Sequence, residues 1–123
     1  MPAVPAGSLA INIFNSISPL PNNVSGLIST IVDQNVFYVE QFTGATIGTT
    51  SIAEQYQLPI SNLATAQVIK LLAVQDGGVQ SVSIGDLSTN NSNLMNIAQS
   101  YQDLANQQLK QLTRGIKFFK ARG

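Results

Sequence analysis

Residues 24–44, VSGLISTIVDQNVFYVEQFTG, decide how this chain folds. Val24, Leu27, Ile28, Ile31, Val32, Asn35, Val36, Val39 and Phe42 recur at i, i+3, i+4 and i+7, the spacing of one face of an α-helix. Asn23 or Ser25 is placed to cap the start and Gly44 to end the run. Phe37 and Tyr38 fall off the stripe, and such residues more often widen the buried face than wait for a partner.

Downstream, residues 44–50 read as a Gly- and Thr-rich turn, and Ser51 with Glu54 forms an S-x-x-E capping box. That box opens a short helix ending near Leu58, because Pro59 follows and suits the first turn of another helix. Ile60, Leu63, Ala64, Val68, Leu71 and Leu72 then keep helical spacing until Asp76, Gly77 and Gly78. Residues 79–88 are the strand candidate, with Val82 and Ile84 on one side, Ser81 and Ser83 on the other, and Gly85 and Asp86 making a bulge or tight turn. After a polar loop at residues 89–92, a last helix carries Leu94, Ile97, Ala98, Tyr101, Leu104, Ala105, Gln108, Leu109 and Leu112 on one face and stops at Gly115. Gln107, Gln108 and Gln111 read as helix formers on a wet face, with a subunit interface as the alternative.

Upstream, Pro2, Pro5, Gly7, Pro19 and Pro21 exclude a continuous helix over residues 1–22. Leu9, Ile11 and Ile13 alternate as a short strand would, and together with Phe14 and Ile17 they give an extended arm apolar anchors, expected to lie on a neighbour rather than on its own core. The expected architecture is mainly α. It has an arm (1–22), a domain of three to four bundled helices (23–115) with a strand or hairpin at 79–88, and a C-terminal tail (116–123). Leu27, Ile31, Val68, Leu71, Tyr101 and Leu104 are its expected core.

A chain of 123 residues buries one modest core. It is 44% hydrophobic and 10% charged, against roughly 25% charged in an ordinary soluble domain. A surface so poor in charge resists association weakly and favours an oligomer. The net charge is zero, yet residues 1–69 carry −3 and residues 70–123 carry +3, a polarity that aligns identical subunits head to side. There is no Cys and no His, which removes thiolate nucleophiles, the usual zinc ligands and the commonest general base. The carboxylates are scattered and no phosphate loop is present, so neither catalysis, cofactor nor metal is expected. Residues 1–20 lack a signal-peptide pattern and no apolar run approaches the ~20 residues of a bilayer span, which points to the cytosol or a particle assembled there.

Five of the six cations crowd into residues 110–123 around an apolar triplet. Lys110, Arg114, Ile116, Lys117, Phe118, Phe119, Lys120 and Arg122 therefore read as a docking segment; alternatively Phe118 and Phe119 close the chain's own core.

The order of elements, the V-x-S-V-S-I-G-D-L-S pattern at residues 79–88 and the A-x-x-Y-x-x-L-A-x-x-x-L-x-x-L face at residues 98–112 resemble the head-tail connector, or adaptor, proteins of tailed bacteriophages. The resemblance spans residues 24–123 and implies a structural virion protein of the neck. It forms a ring, usually of about twelve copies, beneath the portal, extends the DNA channel, passes DNA without reading its sequence, and meets the next neck or tail protein of the stopper or tail-terminator type. Carried onto this chain, the end from Arg114 onward matches the portal-docking segment. Gly85, Asp86, Thr89, Asn90 and Asn91 match the loop that faces a neighbour or the lumen. The alternative is a small helical regulator that binds nucleic acid through its basic-aromatic tail, against which stand the neutral total charge and a pI near 6.0.

Overall fold

The computed structural model describes residues 3–18, 20, 22–73, 81–84, 87–90 and 94–122, of which 18, 23, 81–84, 87–90 and 113–122 are described in backbone only. It is a small, mainly α bundle. Helix α1 spans Ala6–Ser16, strand β1 Ile17–Ser18, α2 Asn22–Ser25, α3 Ile28–Thr43 and α4 Glu54–Ala73. Strands β2 (Ser81–Ile84) and β3 (Leu87–Asn90) precede α5, Leu94–Arg122.

The expected extended arm is instead helical from Ala6 to Ser16. The alternation of Leu9, Ile11 and Ile13 is a subset of a helical stripe, Ala6, Leu9, Ala10, Ile13 and Ile17, all buried in the chain's own core. Pro5 stands immediately before this helix, so it bounds the helix where a missing N–H costs nothing. The Ala6 N–H donates to the Thr49 carbonyl at 2.8 Å, and Val4 and Ile52 exchange backbone hydrogen bonds at 3.1 and 2.7 Å. These bonds tie the chain's start to the segment before α4.

The first predicted helix divides at Gly26 and Leu27. The Leu27 N–H turns back to the Val24 carbonyl at 3.0 Å, which rotates Leu27 off the stripe and leaves it exposed against expectation. Ile28, Ile31, Val32, Val36 and Val39 keep the period and are buried. The helix ends as expected at Gly44, whose φ of +75° favours glycine and whose N–H donates to the Glu40 carbonyl at 2.8 Å.

The expected helix end before Pro59 is also corrected, for α4 runs through it from Glu54 to Ala73. Proline removes one N–H bond. Here packing outweighs that loss, because Pro59, Ile60, Leu63, Ala64, Ala66, Val68, Ile69 and Leu72 are buried around nearly the whole circumference. So α4 is the central helix, with α3 and α5 against it. Helix α5 runs antiparallel to it, as the pairs Lys70–Gln102 and Asn62–Gln108 require. Leu94, Ala98, Ala105 and Leu109 are buried, Tyr101 and Leu71 half-buried, and Leu104, expected in the core, is 46% exposed. Its position on the helix lies toward the wet edge of the stripe.

Between α4 and α5 the backbone pairs β2 with β3 antiparallel, Val82 opposite Thr89 and Ile84 opposite Leu87, and β1 adds to β2 through Ile17 and Ile84. Thr89 and Asn90, expected in a loop, are strand residues here. The predicted stop at Gly115 is overturned as well: α5 continues to Arg122. A mid-helix glycine costs about 1 kcal/mol relative to alanine, too little to end a helix that its neighbours propagate.

Candidate docking surfaces

The sequence-predicted docking residues lie on the last turns of α5. The antiparallel register of Lys70–Gln102 and Asn62–Gln108 brings the start of α4 at Glu54 level with about residues 114–116, so the last residues of α5 extend beyond the start of its partner by about 10 Å at 1.5 Å per residue. Lys110 is exposed on this helix. Arg114, Ile116, Lys117, Phe118, Phe119, Lys120 and Arg122 are helical in backbone, so the tail expected after Gly115 is a continuation of α5. In helical register, Ile116 and Phe119 continue the spacing of Leu109 and Leu112, whereas Lys110, Arg114 and Lys117 repeat at i, i+4 and i+7 on a second line. Of the predicted loop, Thr89 and Asn90 lie on β3, while Gly85, Asp86 and Asn91 fall outside the described residues.

Three other surfaces emerge from the packing. On α3, Phe37 is 63% exposed, and Tyr38 and Phe42 are exposed with ring centroids 6.2 Å apart. The expectation that Phe37 and Tyr38 widen the buried face is therefore corrected. The period of the stripe places its centre near Val32, Val36 and Val39, and Phe37 projects from the opposite side. On α1, Ile11 and Phe14 are exposed beside a shallow recess that reaches Ile28.

The third surface is a cleft of about 190 Å³ where α3, α4 and α5 meet. Buried Asn35 donates through Nδ2 to the Ile31 carbonyl at 2.8 Å and to Gln67 Oε1 at 3.3 Å. Lys70 donates through Nζ to Gln102 Oε1 at 2.6 Å, and Tyr38 and Asn106 complete the wall. The Asn35–Gln67 and Lys70–Gln102 contacts each join residues 32 positions apart, so no local motif announces them. Nearby, Asn62 Nδ2 donates to Gln108 Oε1 at 3.1 Å, which commits Gln108 to its own bundle, while Gln107 and Gln111 are exposed.

At the end of α3 the Glu40 carboxylate accepts the Gly48 N–H at 3.0 Å and the Ile47 N–H at 2.7 Å through Oε2. These two bonds, that from Gly48 first, hold its pKa below the ordinary value of 4.5. Glu40 thus fixes the loop that leads to Ile52 and the N-terminal bridge. Among the described residues, no helix is long and apolar enough to cross a membrane.

Compared with protein-family models, curated proteins and solved structures, the chain matches none.

Proposed function

We propose that the chain is a structural protein of the virion neck, a head-tail connector that forms a ring between the portal and the next neck or tail protein at the portal vertex, assembled in the host cytoplasm. The observation that carries this reading is the end of α5, where a helix continues past its intramolecular partner and holds five of the six cations of the sequence. A helix end of this kind is suited to insertion in a groove. Apolar anchors supply the affinity there, and cations at the rim supply rate and register. A strand pair between the central and terminal helices, and exposed aromatic residues on α3, agree with the same role. DNA passes through the ring by channel geometry, without base readout, and the protein performs no chemistry.

Truncation after Gly115 tests the docking assignment, because it keeps every residue of α5 that runs beside α4. The shortened chain is expected to fold and to lose attachment to portal-bearing heads. Attachment at the normal ratio would place the docking surface on another part of the bundle. The i, i+4, i+7 register of Lys110, Arg114 and Lys117 also supports a second reading, a helix that tracks nucleic-acid phosphates. Under that reading the same truncation, which removes Lys117, Lys120 and Arg122 but keeps Lys110 and Arg114, weakens a salt-sensitive retention on duplex DNA in the absence of any portal.

A further inference from the structure

We propose that copies of this chain meet through α3 of one copy and the Lys70 cleft of the next, with Asp33 pairing to Lys70 and Phe37 seated in the apolar recess beside it. The inference rests on the ring reading and supplies its subunit contact.

The hydrogen bonds in the cleft leave donors over on Lys70, Gln102 and Gln67. An ammonium has three donors and no acceptor, so Gln102 must turn its amide oxygen to Lys70 and keep its NH₂ free for another partner. The Ile31 carbonyl only accepts, so Asn35 must present its NH₂ there, and that same group donates to the oxygen of Gln67. The NH₂ of Gln67 is then also left over. Two amide NH₂ groups and two ammonium hydrogens remain beside this cleft, whose wall also holds the Asn106 amide and the Tyr38 hydroxyl, and among the described residues no carboxylate pairs with Lys70. Such a site selects an anionic acceptor.

Gln67 and Lys70 also border a second recess of about 520 Å³, whose other walls are Ile31, Leu71 and Met95. The fitting partner therefore carries a carboxylate close to a large apolar side chain. Asp33 and Phe37 have that form: they stand four residues apart on the exposed face of α3, where side chains at i and i+4 are about 5–6 Å apart. The carboxylates of Glu40 and Asp103 already accept hydrogen bonds within the chain, whereas Asp33 is exposed and makes none among the described residues. Knob and cleft are different surfaces of the same subunit, so the contact is head to side and repeats around a ring.

The test is the association of the full chain, measured by sedimentation and native mass spectrometry, for the wild type, Asp33→Lys, Lys70→Asp and their equimolar mixture. Each reversal alone is expected to weaken association about tenfold or more, since it sets like charges together. The mixture is expected to regain assembly, because every copy then finds a neighbour of opposite charge. Lys70→Gln, which keeps an amide donor in the bundle, should weaken association on its own and so keeps the contact testable should the reversal disturb folding, and Phe37→Ser should weaken association without altering the monomer's circular dichroism. Reversals that assemble like the wild type, or a mixture no better than its components, would overturn the contact while leaving the ring intact. A wild type that stays monomeric with and without portal would overturn the ring and the contact together.

Discussion

At the end of α3, the Glu40 side chain clamps the loop at Ile47 and Gly48. Its carboxylate gathers two backbone N–H groups, and its folded pKa is depressed, so its contribution is present above the unfolded value and is lost as pH falls through the folded one. Acid titration of the unfolding midpoint should therefore show a loss of stability below pH 4.5 that Glu40→Gln flattens; an unchanged profile would remove the loop clamp from the account. Gly48, with φ +75°, is predicted to lose about 1–2 kcal/mol on replacement by alanine, measured by urea unfolding. In the core, Leu72→Ala should cost about 2–5 kcal/mol, whereas Leu104→Ala should cost about 1 kcal/mol or less because nearly half of Leu104 stands in water. Equal costs at the two positions would reverse the assigned face of α5.

At the scale of elements, the end of α3 at Gly44 and the interior stripe of Val32, Val36 and Val39 were legible because period and cap agree locally. The start of the chain was not. Three alternating residues outweighed a helical stripe partly made of alanines, and prolines that frame α1 read as breaks within it. Pro59 and Gly115 misled for one reason: each carries a local cost that burial or helix propagation exceeds, and a sequence displays only the cost. The Lys70 cleft was out of reach because its side chains come from three helices and converge only after packing. Two predictions follow from the corrected elements. Deleting residues 1–18 removes Leu9, Ala10, Ile13 and Ile17 from the core, so the monomer should lose cooperative unfolding; a stable remnant would return these residues to the role of an arm. Gly115→Ala should raise helical circular dichroism and thermal stability, since a glycine inside a helix is the poorer former; a fall would mean that the helix is capped there after all.

The whole molecule is organised around α4, which buries most of its surface in intramolecular packing while the large exposed apolar side chains stand mainly on the outer helices. Exposed aromatics on α3, the donor-rich cleft where α3, α4 and α5 meet, and the basic end of α5 lie on different parts of the outside. A chain with net charge zero and 10% charged residues has little to keep such surfaces apart from neighbours. In the proposed ring, each weak contact would be repeated by every copy, and avidity would multiply what one helix end contributes. The connector role is tested most directly by the mass of the species that the full chain forms when mixed with isolated portal rings. The account predicts a discrete complex in which a closed ring of the chain is added to the portal, and its loss when the chain ends at Gly115. A portal of unchanged mass beside free monomer would contradict it.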